Sequence, residues 1–426
     1  MKKLLLIVLF PVLVQGQEIQ SISVLFDSLK THPRSIADDL DMEKALAGKR
    51  IANGKLYPGI NLFGKYDYST SPMGMVPIAP NDLLAMVKDQ TVAQPFSENI
   101  FRVGASIAMP VFVKSIYTMA AKAKMMYKSA EDKKYINLLK NEAMLVSLNA
   151  NLKYMEALEN ALEKKKQSLL KTRDIIKIKV NNNRAPGSAL LKINNGINEI
   201  DLMKNNIAIN RSQAISLIRS LTGITLNTPI EMTQTGTYKD GELKALDPLR
   251  KKIEADRLGL RAEKEKLWPA LVLKGNYNYS NAIAYNNNMQ VDKNFATFGL
   301  ALRIPILAMD QYAQISKSKL DIRSSENELQ KMELDISAQA AQLHTTLQIL
   351  ENEVGLYKSS LKDKEELLKV AKVSYQSDRM TIEDYLKYED DVVMEKSKLY
   401  KTQADRWQTL MKLAVIYGNN IEDIIK

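Results

Sequence analysis

One stretch of this sequence returns, little changed, about two hundred residues later, and that duplication limits the possible folds more than any other feature. Residues 55–69 (KLYPGINLFGKYDYS) and 266–280 (KLWPALVLKGNYNYS) agree at eight of fifteen positions at an offset of 211. From about residue 100 the offset is 195: Val103-Gly104 answers Phe298-Gly299, Pro110 answers Pro305, Arg184 answers Arg379, and Gly223 answers Gly418. The two offsets differ by 16 residues, which places one insertion between Ser69 and Ile100. A chain that repeats itself is one structural unit used twice. We therefore expect a first repeat over 17–223, a second over 246–426, and a linker over 224–245.

Each repeat reads helix, strand, loop, strand, long helix, turn, helix. The strands are expected at about 58–69, 100–110, 269–280 and 295–305, where apolar and polar residues alternate with period two. In the first, Ile60, Leu62, Tyr66 and Tyr68 oppose Asn61, Lys65 and Asp67; in the second, Val103 and Ile107 oppose Arg102 and Ser106. In the third, Leu273, Tyr277 and Tyr279 oppose Lys274; in the fourth, Leu300 and Leu302 oppose Arg303. Such length, alternation and terminal tyrosines suit membrane-spanning strands, and equally a half-buried soluble sheet. In a membrane, Lys65, Asp67, Arg102, Lys274 and Arg303 are expected to line the lumen and the apolar set to face lipid. Residues 70–99 and 281–294 would be polar loops outside the cell.

The helical segments carry heptad seams. Leu138, Leu145 and Leu152 form one; Leu148, Met155, Leu162 and Leu169 another; Leu343, Leu350 and Tyr357, with Leu347, Val354, Leu361, Leu368 and Tyr375, repeat the pattern. Glu159 and Lys364 interrupt it. No Pro or Gly occurs between 115 and 180, so that helix would run for about 100 Å at ~1.5 Å per residue. It breaks at Asn181-Asn182-Asn183-Arg184-Ala185-Pro186-Gly187, with Ser188 placed to cap the next helix. The matched break is Ser377-Asp378-Arg379-Met380-Thr381. Both read as hairpin tips.

Composition narrows the function. There are no cysteines and only two histidines, His32 and His344, which excludes a thiolate metal site, a Cys nucleophile and a disulfide scaffold. No phosphate-binding Gly-rich loop or HExxH motif occurs. The Glu365-Glu366 and Asp390-Asp391 pairs sit in helical runs as solvated faces. No catalytic residue, cofactor or metal is expected, and enzyme is the least supported class. The net charge of +11 admits a nucleic-acid binder or a Lys-rich solvated surface. Lys2-Lys3, the apolar run Leu4–Val14 and Gly16 read as a signal peptide over 1–16, which takes the chain out of the cytoplasm and leaves no nucleic-acid partner. The apolar run is shorter than the ~20 residues a spanning helix needs, so any membrane crossing would use strands. Four strands cannot close a barrel, for which about eight is the smallest useful number. A membrane sheet of this kind requires a cyclic oligomer, and three copies would supply twelve strands.

With Leu56-Tyr57-Pro58-Gly59-Ile60, Leu267-Trp268-Pro269-Ala270-Leu271 and the strand exits ending at Pro110 and Pro305, the chain resembles the TolC-like outer-membrane efflux proteins of Gram-negative bacteria over its whole mature length. The resemblance implies a mainly α protein with membrane β, built from the duplicated unit. It implies a homotrimer with a 12-stranded β-barrel in outer-membrane lipid, continued by a long α-helical barrel in the periplasm. It implies a passive exit duct that docks a periplasmic adaptor (membrane fusion protein) and an inner-membrane efflux pump or ABC transporter. The tips Arg184, Pro186, Gly187, Asp378, Arg379 and Thr381 would be the docking surface, with Arg184 and Arg379 alternatively serving helix-terminal carbonyls. Aligned to the family's aspartate gate, Asp384 takes the first ring position, but Lys387 takes the second. Ala189 and Lys192 stand in the first repeat, and Asp378 replaces the usual Gly. Asp384, Lys387 and Arg379 would form a mixed-charge constriction. The alternative for Asp384 is an ordinary helix-start residue paired to Lys387 or Lys364. A periplasmic coiled-coil structural or adaptor protein is the competing reading of the whole chain.

Overall fold

The computed structural model describes residues 21–377 and 379–426. The expected signal peptide and Asp378 lie outside the described residues. In chain order the elements are α1 (Ile22–Thr31), α2 (Pro33–Gly54), β1 (Gly59–Gly74), α3 (Pro80–Lys88), β2 (Phe96–Phe112), α4 (Lys114–Asn181) and α5 (Gly187–Thr222). After a short 3-10 turn follow α6 (Asp247–Glu265), β3 (Ala270–Ile283), β4 (Gln290–Arg303), α7 (Met309–Gln376) and α8 (Ile382–Tyr417).

The duplication is kept to the residue. Helices α4 and α7 are both 68 residues long and α5 and α8 both 36, and each pair begins and ends at the 195-residue offset. Both second helices end on a glycine in the left-handed region, Gly223 at φ 74° and Gly418 at φ 66°. Any other L-residue is strained there, and the cap amide returns to a carbonyl of the last turn.

Two compact units make up the chain. One comprises 41–131 and 248–330. Its centre is a four-stranded antiparallel sheet in the order β1-β2-β3-β4, which leaves β1 and β4 as edges. The strands outrun the expected ranges at their loop ends. A register shift between Tyr68 and Met73 lets β1 continue to Gly74, and β3 and β4 close through the short turn 284–289, with Asn288 at φ 57°. Beside the sheet, Thr118 of α4 donates a short hydrogen bond to the buried Glu265 of α6, and Arg257 of α6 pairs with Glu326 of α7 at 2.7 Å.

The other unit comprises 21–40, 132–247 and 331–426. Its core takes in part of the seam read from sequence: Leu145, Leu152, Met155, Leu162 and Leu169 are buried with Ile193, Ile200, Leu410 and Leu413. Of the second-repeat seam only Leu343 and Leu347 are buried, and Leu350, Val354, Tyr357, Leu361, Leu368 and Tyr375 are half-buried. Both seam interruptions are answered from the neighbouring helix. Arg211 of α5 meets Glu159 at 3.2 Å, and Glu395 of α8 meets Lys364 at 2.9 Å. The linker is pinned at points within it. Asn149, fully buried, donates to the Ile230 carbonyl and accepts from its amide, both at 2.8 Å. The matched residue of the second repeat, His344, bonds Tyr238 at 2.8 Å and Tyr417 at 2.9 Å. Thr233 and Lys426 exchange backbone hydrogen bonds at 2.8 and 3.0 Å, so the C-terminal residues add a bridge to the linker.

Candidate functional site

Strand register decides which side chains share a face, because directly opposed residues point the same way. Lys65 opposes Arg102, Arg102 opposes Ser280, Ala108 opposes Lys274, and Ala270 opposes Arg303. Lys65, Asp67, Arg102, Lys274 and Arg303 therefore lie on one face of the sheet, joined by Lys293 opposite Ser280. Three of them are clustered: Lys65 Nζ sits 2.7 Å from Asp67, and Arg102 donates a short bond to the other carboxylate oxygen and a 3.0 Å bond to the Gly74 carbonyl. Lys274, Lys293 and Arg303 have no carboxylate partner among the described residues.

The opposite face is apolar and bare. Leu62 is 83% exposed and Phe298 78%, and Ile60, Tyr66, Tyr68, Leu300 and Leu302 are also exposed. An uncovered apolar surface of that extent marks a face that meets lipid or another protein. No helix among the described residues is long and apolar enough to cross a membrane.

The segment expected as a free polar loop over 70–99 is neither free nor unstructured. It carries the end of β1, helix α3 and the start of β2. Met75 and Ala93 pack on Ile100, Ala282 and Val291, one cross-strand row of the charged face. Asn286 of the β3–β4 turn donates to the Val92 carbonyl at 2.9 Å and accepts from the Gln94 amide at 3.0 Å. Ile100 is fully buried because this insertion, unique to the first repeat, folds back onto the sheet. The 16-residue offset difference marked the insertion, but nothing in its pattern showed where it would fold.

In the helical unit, the two tips close alike. The Arg184 amide reaches the Lys179 carbonyl at 2.7 Å and the Arg379 amide reaches Ser374 at 2.9 Å, five residues back in each case. Asn183 supplies the positive φ (56°) of the first. Backbone amides rather than guanidinium groups thus serve these carbonyls. Both side chains are exposed, and neither has an ion-pair partner among the described residues. Pro186 and Gly187, also exposed, start α5. Pro186 is the cap residue, which corrects the expectation for Ser188: the extended Pro186 backbone starts the helix two residues too early for Ser188 to cap it.

Thr381 caps α8, accepting from the Asp384 amide at 3.2 Å and donating to Asp384 Oδ2 at 2.7 Å. Lys387 Nζ lies 3.1 Å from Asp384 Oδ1. The Thr381 hydroxyl first, and then Lys387, hold the Asp384 carboxyl below its ordinary value. Asp384 and Lys387 are thus brought together within one protomer, while Lys364 is engaged by Glu395 instead. Among the described residues Asp384 makes no ion pair with Arg379.

Sequence reasoning missed a polar knot behind the second tip. Tyr385 stacks on Tyr375 at 5.2 Å and donates to the buried Glu389 at 2.6 Å, which also accepts from Ser168 of α4. Burial, reinforced by Glu389, pushes the Tyr385 hydroxyl up to about 12. Its signal was present: Glu389 interrupts the apolar stripe Tyr385, Val392, Leu399 of α8.

No family model matches the sequence, and no curated protein matches it. Solved structures do. The CmeC outer-membrane channel of Campylobacter jejuni superposes with a TM-score of 0.76 at 15% identity, covering 93% of this chain and 85% of that one. VceC of Vibrio cholerae gives 0.76 at 13% identity over 94% and 96% of the two chains. The open state of MtrE from Neisseria gonorrhoeae gives 0.74 at 14% identity over 95% and 90%. The chain has the fold of these TolC-like outer-membrane channels.

Proposed function

We propose that this chain is one protomer of an outer-membrane exit duct. Three copies close their sheets into a twelve-stranded barrel in lipid, and the paired hairpins extend into the periplasm as a helical barrel. Domain boundaries follow the repeats: 17–223, 224–245 and 246–426, after a leader over 1–16. The observation that carries the proposal is the sheet itself. It has one bare apolar face, one charged face and two edge strands, and in hydrocarbon each unsatisfied edge group costs several kcal/mol, so the sheet must continue into neighbours. The fold shared with outer-membrane channels supports the same reading.

In this account Lys65, Asp67, Arg102, Lys274 and Arg303 line the lumen. The tips around Arg184, Pro186, Gly187, Asp378, Arg379 and Thr381 receive the periplasmic adaptor. Asp384, Lys387 and Arg379 edge the periplasmic opening. Cargo comes from an inner-membrane efflux pump or ABC transporter, which supplies the energy; the duct is passive.

Membrane fractionation tests the proposal. The protein should partition with the outer membrane and migrate on gels as an oligomer that heating converts to monomer. Recovery as a soluble periplasmic species would favour the coiled-coil adaptor reading instead.

A further inference from the structure

The charged face of the sheet is far from electrically balanced. At the paired positions of the regular register, Lys65, Arg102, Lys274, Lys293 and Arg303 stand against the single carboxylate Asp67, while Glu98 of β2 lies at the register shift and outside those pairs. Asp67 is already committed to Lys65 and Arg102. The other acid of β3 and β4, Asp292, opposes Asn281 and therefore belongs to the apolar face, where Tyr279 and Asn281 hold it at 2.9 and 2.5 Å. It offsets nothing on the charged side. Lys274 and Arg303 are both exposed and face away from the apolar surface. At the tip, Asp384 is matched within its own protomer by Lys387, so it does not impose an opposing cation preference.

We infer that the conduit favours anionic solutes, and that Lys274 and Arg303 are the residues that set this preference. The inference rests on the proposed barrel, in which the charged face becomes the lumen wall. Like charges on a low-dielectric wall enclosing a narrow aqueous space raise the local concentration of counter-ions, here anions. The same field is screened as salt rises, with a Debye length of about 10 Å at 0.1 M and ~3 Å at 1 M. Anion preference is therefore strongest in dilute salt. The corresponding cargo is acidic: carboxylates, phosphates or sulfonates, or amphiphiles carrying them.

The test uses the purified full-length protein in planar bilayers under a KCl gradient, with chloride as the probe anion. Wild-type channels should pass chloride in preference to potassium, and the ratio should rise as the salt is diluted. The double variant Lys274→Glu/Arg303→Glu leaves three cations against three acids on the face, so its ratio should fall to about one. Lys274→Gln should lie between the two. A wild-type ratio at or below one, or a double variant that conducts with an unchanged ratio, overturns the inference and leaves the duct intact. A protein that assembles in the bilayer but never conducts overturns the duct reading itself.

Discussion

The buried pair Lys364–Glu395 comes with its own control, because the first repeat fills the same two positions with Leu169 and Ile200. Both of those are almost fully buried, at 2% and 1% exposure. Glu395 is 4% exposed and sits 2.9 Å from Lys364, whose side chain retains 28% exposure. Copying the first repeat into the second gives Lys364→Leu and Glu395→Ile. Lys364→Leu leaves a carboxylate in the core with the Ser360 side chain and Lys398 at 4.0 Å, and a half-broken buried pair costs about 3–5 kcal/mol. Glu395→Ile costs less, because Lys364 can turn towards solvent. The double replacement substitutes a packed apolar pair for an ion pair and is expected to be neutral or stabilising by about 1–4 kcal/mol. Urea unfolding of detergent-solubilised protein, followed by helix ellipticity, reads the order of midpoints. The double variant should equal or exceed wild type, with Lys364→Leu lowest. A double variant below both singles would show that the pair is more than an apolar contact made with charges, and the comparison between repeats would fail.

Three further perturbations address the membrane face, the buried acid and the tip. Leu62→Arg puts a charge on the most exposed apolar position of β1 and should cost about 2–4 kcal/mol per copy near mid-membrane, whereas Asn61→Arg on the charged face should assemble normally; heat-modifiable oligomer on gels reports both. Burial, then Glu422, pushes the Glu142 carboxyl up to about 7 from its ordinary value of 4.5, against the pull of Lys30. The raised folded value means its stability contribution is complete below about 4.5 and is lost as pH rises through 7, by roughly 3 kcal/mol, so Glu142→Gln should flatten the melting temperature between pH 5 and 8. Thr381→Ala removes the α8 cap, at about 1 kcal/mol, and should speed amide exchange across 382–385 without changing exchange at the first tip.

The repeat made most of the fold legible. Helix lengths matched at the 195-residue offset, and period-two alternation placed Lys65, Asp67, Arg102, Lys274 and Arg303 on one strand face before any register was known. Long-range polar contacts were not legible in this way. Asn149 and His344 occupy one position in two repeats and both hold the linker, yet an Asn and a His share no chemistry that a pattern search would align. The fold-back of 75–95 depends on Asn286 and on the small residues Ala93, Ala282 and Ala284, whose sequence signal is no stronger than that of any loop. The tip was read in outline. Asp384 beside Lys387 was foreseeable from their helical spacing, whereas the part played by Thr381 came from a cap whose start was one of several possible residues.

The central claim is that the open edges β1 and β4 find each other across copies and close after three. The absence of native cysteines makes this directly measurable. Single cysteines introduced along β1 and β4 of one chain, oxidised in isolated outer membranes, should give at some pairing a covalent ladder that stops at the trimer on denaturing gels. A ladder ending at a dimer, one continuing past the trimer, or the absence of any β1–β4 cross-link between copies along the whole length of the strands would contradict the twelve-stranded barrel.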